Sequence, residues 1–221
     1  PSEDPYVVVK DGTFYLFYED KHPDRHTFIS VATSTDGIEW KVARKGAVRP
    51  TGTGWQEVIV ASPIVALGPA GWIMLYEGCS STLFTVNGGT IGYAVSENLL
   101  DWEQIPEPVF EGSGYLRYDW LIDYHWAHHI VPDDIIKDGE EYVMTYHGWS
   151  KWWGWQSGFA TSSDLLSWRI PYDYPMSPLS TIMMARMEGE VRFYATTEKG
   201  VEFLRPLRGL TPEEARAAGL E

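Results

Sequence analysis

Residues 61–78 read ASPIVALGPAGWIMLYEG, and the fold turns on how that phrase is parsed. An apolar run follows Ser62-Pro63, a Gly/Pro break covers residues 68–71, and a second run from Trp72 to Tyr76 ends on Glu77. Apolar runs of strand length separated by Gly and Pro make hairpins, so two strands and a tight turn are expected. Residues 4–19, DPYVVVKDGTFYLFYE, repeat the phrase in other letters: Asp4 stands to Glu19 as Ser62 stands to Glu77, fifteen positions apart in both. A third copy begins at Val131-Pro132, turns at Asp138-Gly139 and ends at Tyr146-His147.

A second phrase follows each of these pairs. It reads ISVATSTDGIEW at 29–40, IGYAVSENLLDW at 91–102 and SGFATSSDLLSW at 157–168, with its Trp residues 62 and 66 positions apart. Each copy offers a third strand, a tight turn at Ser-x-Asp/Asn and a fourth strand after the Trp. Trp40, Trp102 and Trp168 are expected in the core. A fourth, eroded unit covers 178–207 without that phrase, and Thr211-Pro-Glu-Glu with Gly219 reads as a short helix over 211–219. Four-stranded antiparallel units repeated along a chain predict radial packing, so the expected class is all-β and the expected fold a β-propeller. It would form one domain over 1–221, with units at about 4–42, 62–105, 131–170 and 178–207.

Composition narrows the function. A formal charge of −14 argues against a nucleic-acid partner, whose phosphates need a basic face, and against anionic membrane surfaces. One Cys excludes an internal disulfide framework and a Cys-rich zinc site. No apolar run approaches the roughly 20 residues of a membrane span, and the chain opens at Pro1 without a signal-like segment. A soluble protein is expected, its compartment unknown.

Connection lengths place the site. Turns between first and second strands are short, whereas the connections at 19–27, 78–89, 147–156, 43–60, 106–130 and 171–178 are long and irregular. One face is economical and the other elaborated, and long loops on a rigid scaffold carry binding. That face should collect Asp4, Ser62, His128 and His129 from the starts of first strands, and Glu19, Glu77, His147 and Glu198 from the ends of second strands. Carboxylates and imidazoles gathered in a hollow are the raw material of acid–base chemistry. Trp149, Trp152, Trp153 and Trp155 sit in a loop beside them, where an indole can pack internally or stack on the apolar face of a sugar. A cation held by His residues is possible, although no motif of the His-Glu-x-x-His kind is present.

Asp4-Pro5 before an apolar strand, then Asp11-Gly12, a Tyr-rich strand and Ala32-Thr33-Ser34-x-Asp36-Gly37-x-x-Trp40, resembles the blade pattern of the five-bladed β-propeller glycosidases. That superfamily includes glycoside hydrolase families 43, 32, 62 and 117 and the family 130 phosphorylases. The likeness covers residues 4–40, 62–102 and 131–168, and it implies hydrolysis of a glycosidic bond in a central acidic funnel. By resemblance Asp4 is the base or nucleophile and Glu77 the acid. Glu19, Ser62, His128, His129, His147 and Glu198 would contact or tune the sugar, with Trp149 and Trp152 as stacking platforms. No cofactor is implied beyond a possible structural divalent cation. The expected partner is a glycan or oligosaccharide, and an open blade edge leaves room for an oligomer. The sequence departs from the pattern at Ser62, where an Asp is common, and in showing four units. Family 117 enzymes are similar in using a histidine as acid. A carbohydrate-binding protein without catalysis and a phosphorylase, with Arg25 and Arg117 to hold phosphate, are the alternatives.

Overall fold

The structure, a computed structural model, describes residues 2–23, 26–81, 89–111, 127–150, 154–170, 175–197 and 200–204. Its first unit runs β1 (Ser2–Lys10), β2 (Thr13–Lys21), β3 (Thr27–Ser34) and β4 (Lys41–Val48). The second runs β5 (Ile59–Gly68), β6 (Gly71–Cys79), β7 (Thr90–Ser96) and two short strands, β8 (Glu103–Gln104) and β9 (Phe110–Glu111). The third has β10 (His129–Asp138), β11 (Glu141–Ser150) and β12 (Gly154–Ser162), and the last has β13 (Ile182–Met187), β14 (Glu190–Thr197) and β15 (Gly200–Leu204). Within each unit, strands consecutive along the chain pair antiparallel, except that β9 joins β7 beside β8.

The expected β-propeller is not what these residues form. They make three open sheets of nine, three and three strands, none of them closed into a ring. A single parallel pair, Thr27 with Ile59, joins the first two units into the nine-stranded sheet. In the third unit the fourth strand shrinks to two isolated bridges on β12, Thr161 with Arg169 and Ser157 with Ser177, and among the described residues no fourth strand pairs with β15. The helical content of the described residues is one 3-10 turn, Gly54–Gln56; the helix expected at 211–219 lies outside them. No helix among them is long and apolar enough to cross a membrane.

The recurrent Ser-x-Asp phrase is a turn device. Ser34 Oγ accepts the N–H groups of Asp36 and Gly37, while Asp36 Oδ1 accepts those of Ile38 and Glu39. Ser96 with Asn98 and Ser162 with Asp164 repeat the arrangement. Leu99 (φ 68°) and Leu165 (φ 70°) hold the left-handed position that Gly37 takes in the first copy. A leucine tolerates it because each side chain is wholly buried, so packing offsets the backbone cost. The phrase's tryptophans are half-buried, and the Trp102 and Trp168 indoles donate to the Leu99 and Leu165 carbonyls.

The core lies between units. Phe17, Ile29, Val31, Val65, Met74 and Tyr76 pack the first against the second, and Ile64, Leu75, Ile91, Ile130, Met144 and Tyr146 pack the second against the third. This packing brings first strands together: β5 touches both β1 and β10, and β10 touches β13. The starts of four strands therefore meet in one place.

Candidate active site

Each of the first three hairpins slips its ladder near the start of the first strand, between Glu3 and Tyr6, Ala61 and Ile64, and Pro132 and Asp134. The slip is a β-bulge, which re-aims a side chain out of the regular alternation. Asp4 (φ 45°) and Ser62 (φ 48°) sit in it with left-handed backbone, and Thr181 (φ 60°) has the same conformation just before β13. Non-glycine residues held there mark places where the fold over-determines a side chain's direction. Here Asp4, Ser62, Asp133 and Thr181 all line one cavity of about 180 Å3, with His147 and Tyr6 completing its polar wall.

Second strands supply the neighbours. The ladders set Glu19 opposite Glu3, Glu77 opposite Ala61 and His147 opposite Val131, three equivalent positions. Ser62 ties the first two units together: its Oγ donates to Asp4 Oδ2 at 3.0 Å, and its N–H donates to Glu19 Oε1 at 3.1 Å. Glu19 is 5% exposed. Burial, then the charge and hydrogen bond of Asp4, push its carboxyl up to about 8, against the opposing pull of the Ser62 N–H. Glu19 therefore holds its proton at neutral pH, with the charge of Asp4 among the causes.

His147 is the cavity's imidazole. Its Nδ1 lies 2.5 Å from Asp133 Oδ1, and Asp133 Oδ2 also accepts the Ile182 N–H at 3.2 Å. Burial works to lower the imidazole's affinity for protons, but the hydrogen bond and charge of Asp133, with Glu77 and Asp4 behind, outweigh it and raise the pKa. Asp133 is itself shifted upward by burial. Next along the strand, Asp134 turns the other way, accepting from the Met184 and Ile135 N–H groups and from the Tyr6 hydroxyl, a structural role.

Glu77 sits behind this wall, 4% exposed and not on the cavity's lining. Its Oε1 is 2.6 Å from His129 Nε2 and accepts from Cys79 Sγ at 3.2 Å. The three ligand atoms lie within 4.8 Å of one another, a group that could hold a metal ion. Their chemistry as they stand favours protons: Gly89 N–H donates to His129 Nδ1, which places the ring proton on Nε2, facing Glu77. Burial, then Glu77, also raises the Cys79 thiol, which keeps its hydrogen.

Of the anticipated residues, Asp4, Ser62 and His147 line the cavity, with Glu19 in contact with Ser62 and Glu77 behind. His129 is buried against Glu77, whereas half-buried His128 points the other way, 6.3 Å from the Trp149 ring. Trp155, exposed over part of its surface, has its ring 5.1 Å from that of His147 and 5.5 Å from that of His129. Trp152 and Glu198 lie outside the described residues. Asp133 was not anticipated. Its signal was a pair of aspartates inside the otherwise apolar run 130–136, since a carboxylate is rarely buried without a partner.

No protein-family model matches the chain, and no curated protein matches it. Solved structures do. A family 117 glycoside hydrolase produced by the marine bacterium Zobellia galactanivorans aligns over 93% of this chain and 67% of its own, with a TM-score of 0.68 and 14% identity. An endo-arabinase from Bacteroides thetaiotaomicron aligns over 90% and 72%, with a TM-score of 0.66 and 16% identity. β-1,2-Mannobiose phosphorylase from Listeria innocua aligns over 91% and 57%, with a TM-score of 0.67 and 10% identity. The resemblance drawn from the repeated phrases thus recurs in three dimensions across the same group of glycosidases and phosphorylases, and at these identities it is a likeness of fold.

Proposed function

We propose that the chain is a carbohydrate-active enzyme that cleaves a glycosidic bond, with its reacting centre in the cavity between Asp4 and His147. The observation that carries this reading is that one hollow is lined by both a carboxylate and an imidazole backed by a buried carboxylate. With Nδ1 committed to Asp133, His147 presents Nε2, and its raised pKa keeps a proton there to donate to the leaving oxygen. Asp4 acts as base toward water or as nucleophile toward the anomeric carbon. Its negative charge also offsets the oxocarbenium character that such transition states develop. Protonated Glu19 hydrogen-bonds to Asp4 and Ser62 Oγ donates to one of its carboxylate oxygens, which together fix Asp4's direction. Glu77 acts from behind by favouring the imidazolium of His147. The solved structures to which the chain is similar in fold include glycoside hydrolases, which supports the reaction class and leaves the sugar open.

The test is turnover on a panel of aryl glycosides by the unmodified chain, Asp4→Asn and His147→Gln. Removing a group that transfers a proton in the transition state costs about 10²–10⁴-fold, so each variant should lose at least about a hundredfold in kcat/KM. Turnover unchanged by both substitutions removes the assignment.

A further inference from the structure

A second cavity opens at the same end of the strands, away from the candidate active site. Its described lining comes from residues flanking the end of β2 and the start of β3 and from the stretch between Lys45 and Glu57, and its volume is about 520 Å3. The charged and aromatic residues on its lining are His22, His26, Phe28, Lys45, Arg49 and Glu57. In a chain of formal charge −14 this lining brings two basic side chains, Lys45 and Arg49, together with the single acidic one of Glu57; Lys45 Nζ also lies 3.9 Å from Asp20 Oδ2. At physiological ionic strength, charges beyond about 8 Å are largely screened, so a ligand in the cavity responds to these groups rather than to the net charge.

Arg49 is the centre of the arrangement. Among the described residues, Arg44, Arg169, Arg186 and Arg192 each pair with a carboxylate, whereas Arg49 pairs with none. Its Nε and Nη2 donate to the carbonyls of Gly46 (3.1 Å) and Lys45 (3.3 Å), and its guanidinium lies over the Phe28 ring, 4.7 Å from the centroid. Gly46 (φ 60°) makes this tuck possible, because a Cβ there would stand 2.3 Å from the guanidinium carbon. The backbone of Arg49 is clamped as well: Gln104 accepts from its N–H and donates to its carbonyl, and Gln56, held by Tyr76, anchors Gln104. One edge of the fork is thus spent on main-chain carbonyls and one face on Phe28. The remaining Nη1–Nη2 edge is a rigid pair of donors whose spacing matches two oxygens of one anion.

We propose that this cavity is an oxyanion subsite, in which Arg49 takes the carboxylate or sulfate group of an acidic saccharide in a bidentate grip, assisted by Lys45. The saccharide part of the assignment rests on the glycosidase reading, because the cavity is lined by His22, just after β2 ends at Lys21, and by Glu57, just before β5 starts at Ile59, and these two strands carry Glu19 and Ser62. The oxyanion part does not.

The experiment titrates the full chain, Arg49→Gln and Lys45→Gln with three probes by NMR: potassium sulfate, trigalacturonate and its neutral methyl ester. Both substitutions fall on exposed side chains, and circular dichroism checks that the fold is retained. Saturable shifts with sulfate and trigalacturonate are expected, each weakened roughly tenfold or more by Arg49→Gln, as losing a charge-assisted pair predicts. Binding of the methyl ester should be indifferent to the substitution. No saturable sulfate effect, or one that both variants retain in full, overturns the oxyanion site. Sulfate binding that depends on Arg49, combined with trigalacturonate binding that does not, overturns the saccharide assignment. Failure of the aryl glycoside panel counts against the glycosidase reading alone, since the sulfate titration decides the cavity without it.

Discussion

His147 Nδ1 stands 2.5 Å from Asp133 Oδ1, joining an imidazole whose side chain is 19% exposed to a carboxylate that is 2% exposed. Both line the cavity, and the more deeply buried carboxylate fixes the tautomer of the imidazole. A proton held on His147 is therefore stabilised by a carboxylate almost wholly removed from solvent.

Asp133→Asn removes that charge while keeping the shape. The His147 pKa, raised in the folded chain, should fall, and NMR titration of its ring protons would show it. If His147 gives its proton in catalysis, the basic limb of the kcat/KM profile must move to lower pH by the same amount. A variant with reduced activity and an unmoved limb would leave Asp133 a purely structural role.

The Glu19 carboxyl gives a stability prediction with a definite sign. Its folded pKa of about 8 lies above the ordinary carboxylate value. Between roughly pH 4.5 and 8 the folded chain holds a proton that the unfolded chain has released. This group's contribution is thus fully present below the unfolded value and is lost as pH rises through 8. Glu19→Gln keeps an acceptor for the Ser62 N–H and cannot ionise, so its urea-unfolding free energy should decline less over that window. Parallel curves for the two chains would show that folding does not raise the proton affinity of Glu19.

The repeats made much of this legible. Asp4/Glu19, Ser62/Glu77 and Pro132/His147 follow from counting fifteen positions, and the ladders set those glutamates and the histidine at equivalent points. Asp133 escaped because it is the extra residue of a bulge, one step beyond the counted position, and a slip of one residue changes which face a side chain takes. His128 and His129 drew attention as adjacent imidazoles, but strand alternation sends them opposite ways, and it is His129 that faces Glu77. Ring closure was not legible at all. Whether a unit keeps its fourth strand depends on pairings such as Thr161 with Arg169, which local patterns do not encode.

Leu165 tests how the turn phrase is held. It has φ 70°, which glycine prefers, yet its side chain is wholly buried in the core between the second and third units. Leu165→Ala keeps the backbone strain and opens a cavity, so a loss of about 2–5 kcal/mol is expected by urea denaturation. Leu165→Gly removes the strain as well, and should be no worse than the alanine variant despite glycine's greater unfolded-state freedom. A glycine variant clearly less stable than alanine would mean the turn costs little.

The Glu77, Cys79 and His129 trio separates a proton-bonded cluster from a metal centre. A histidine that binds a metal normally donates from its second nitrogen, whereas His129 Nδ1 accepts from Gly89. For Nε2 to ligate, the proton facing Glu77 would have to leave and the Gly89 contact would have to break, and the thiol would also have to ionise in a place where burial opposes it. Dialysis against a chelator should therefore leave the thermal midpoint unchanged, and His129→Gln, which retains an N–H for Glu77, should be tolerated better than His129→Ala. A midpoint that drops on chelation and returns with Zn2+ would reverse the ranking, because a cation bound by His129 Nε2 cannot be replaced by the amide of Gln.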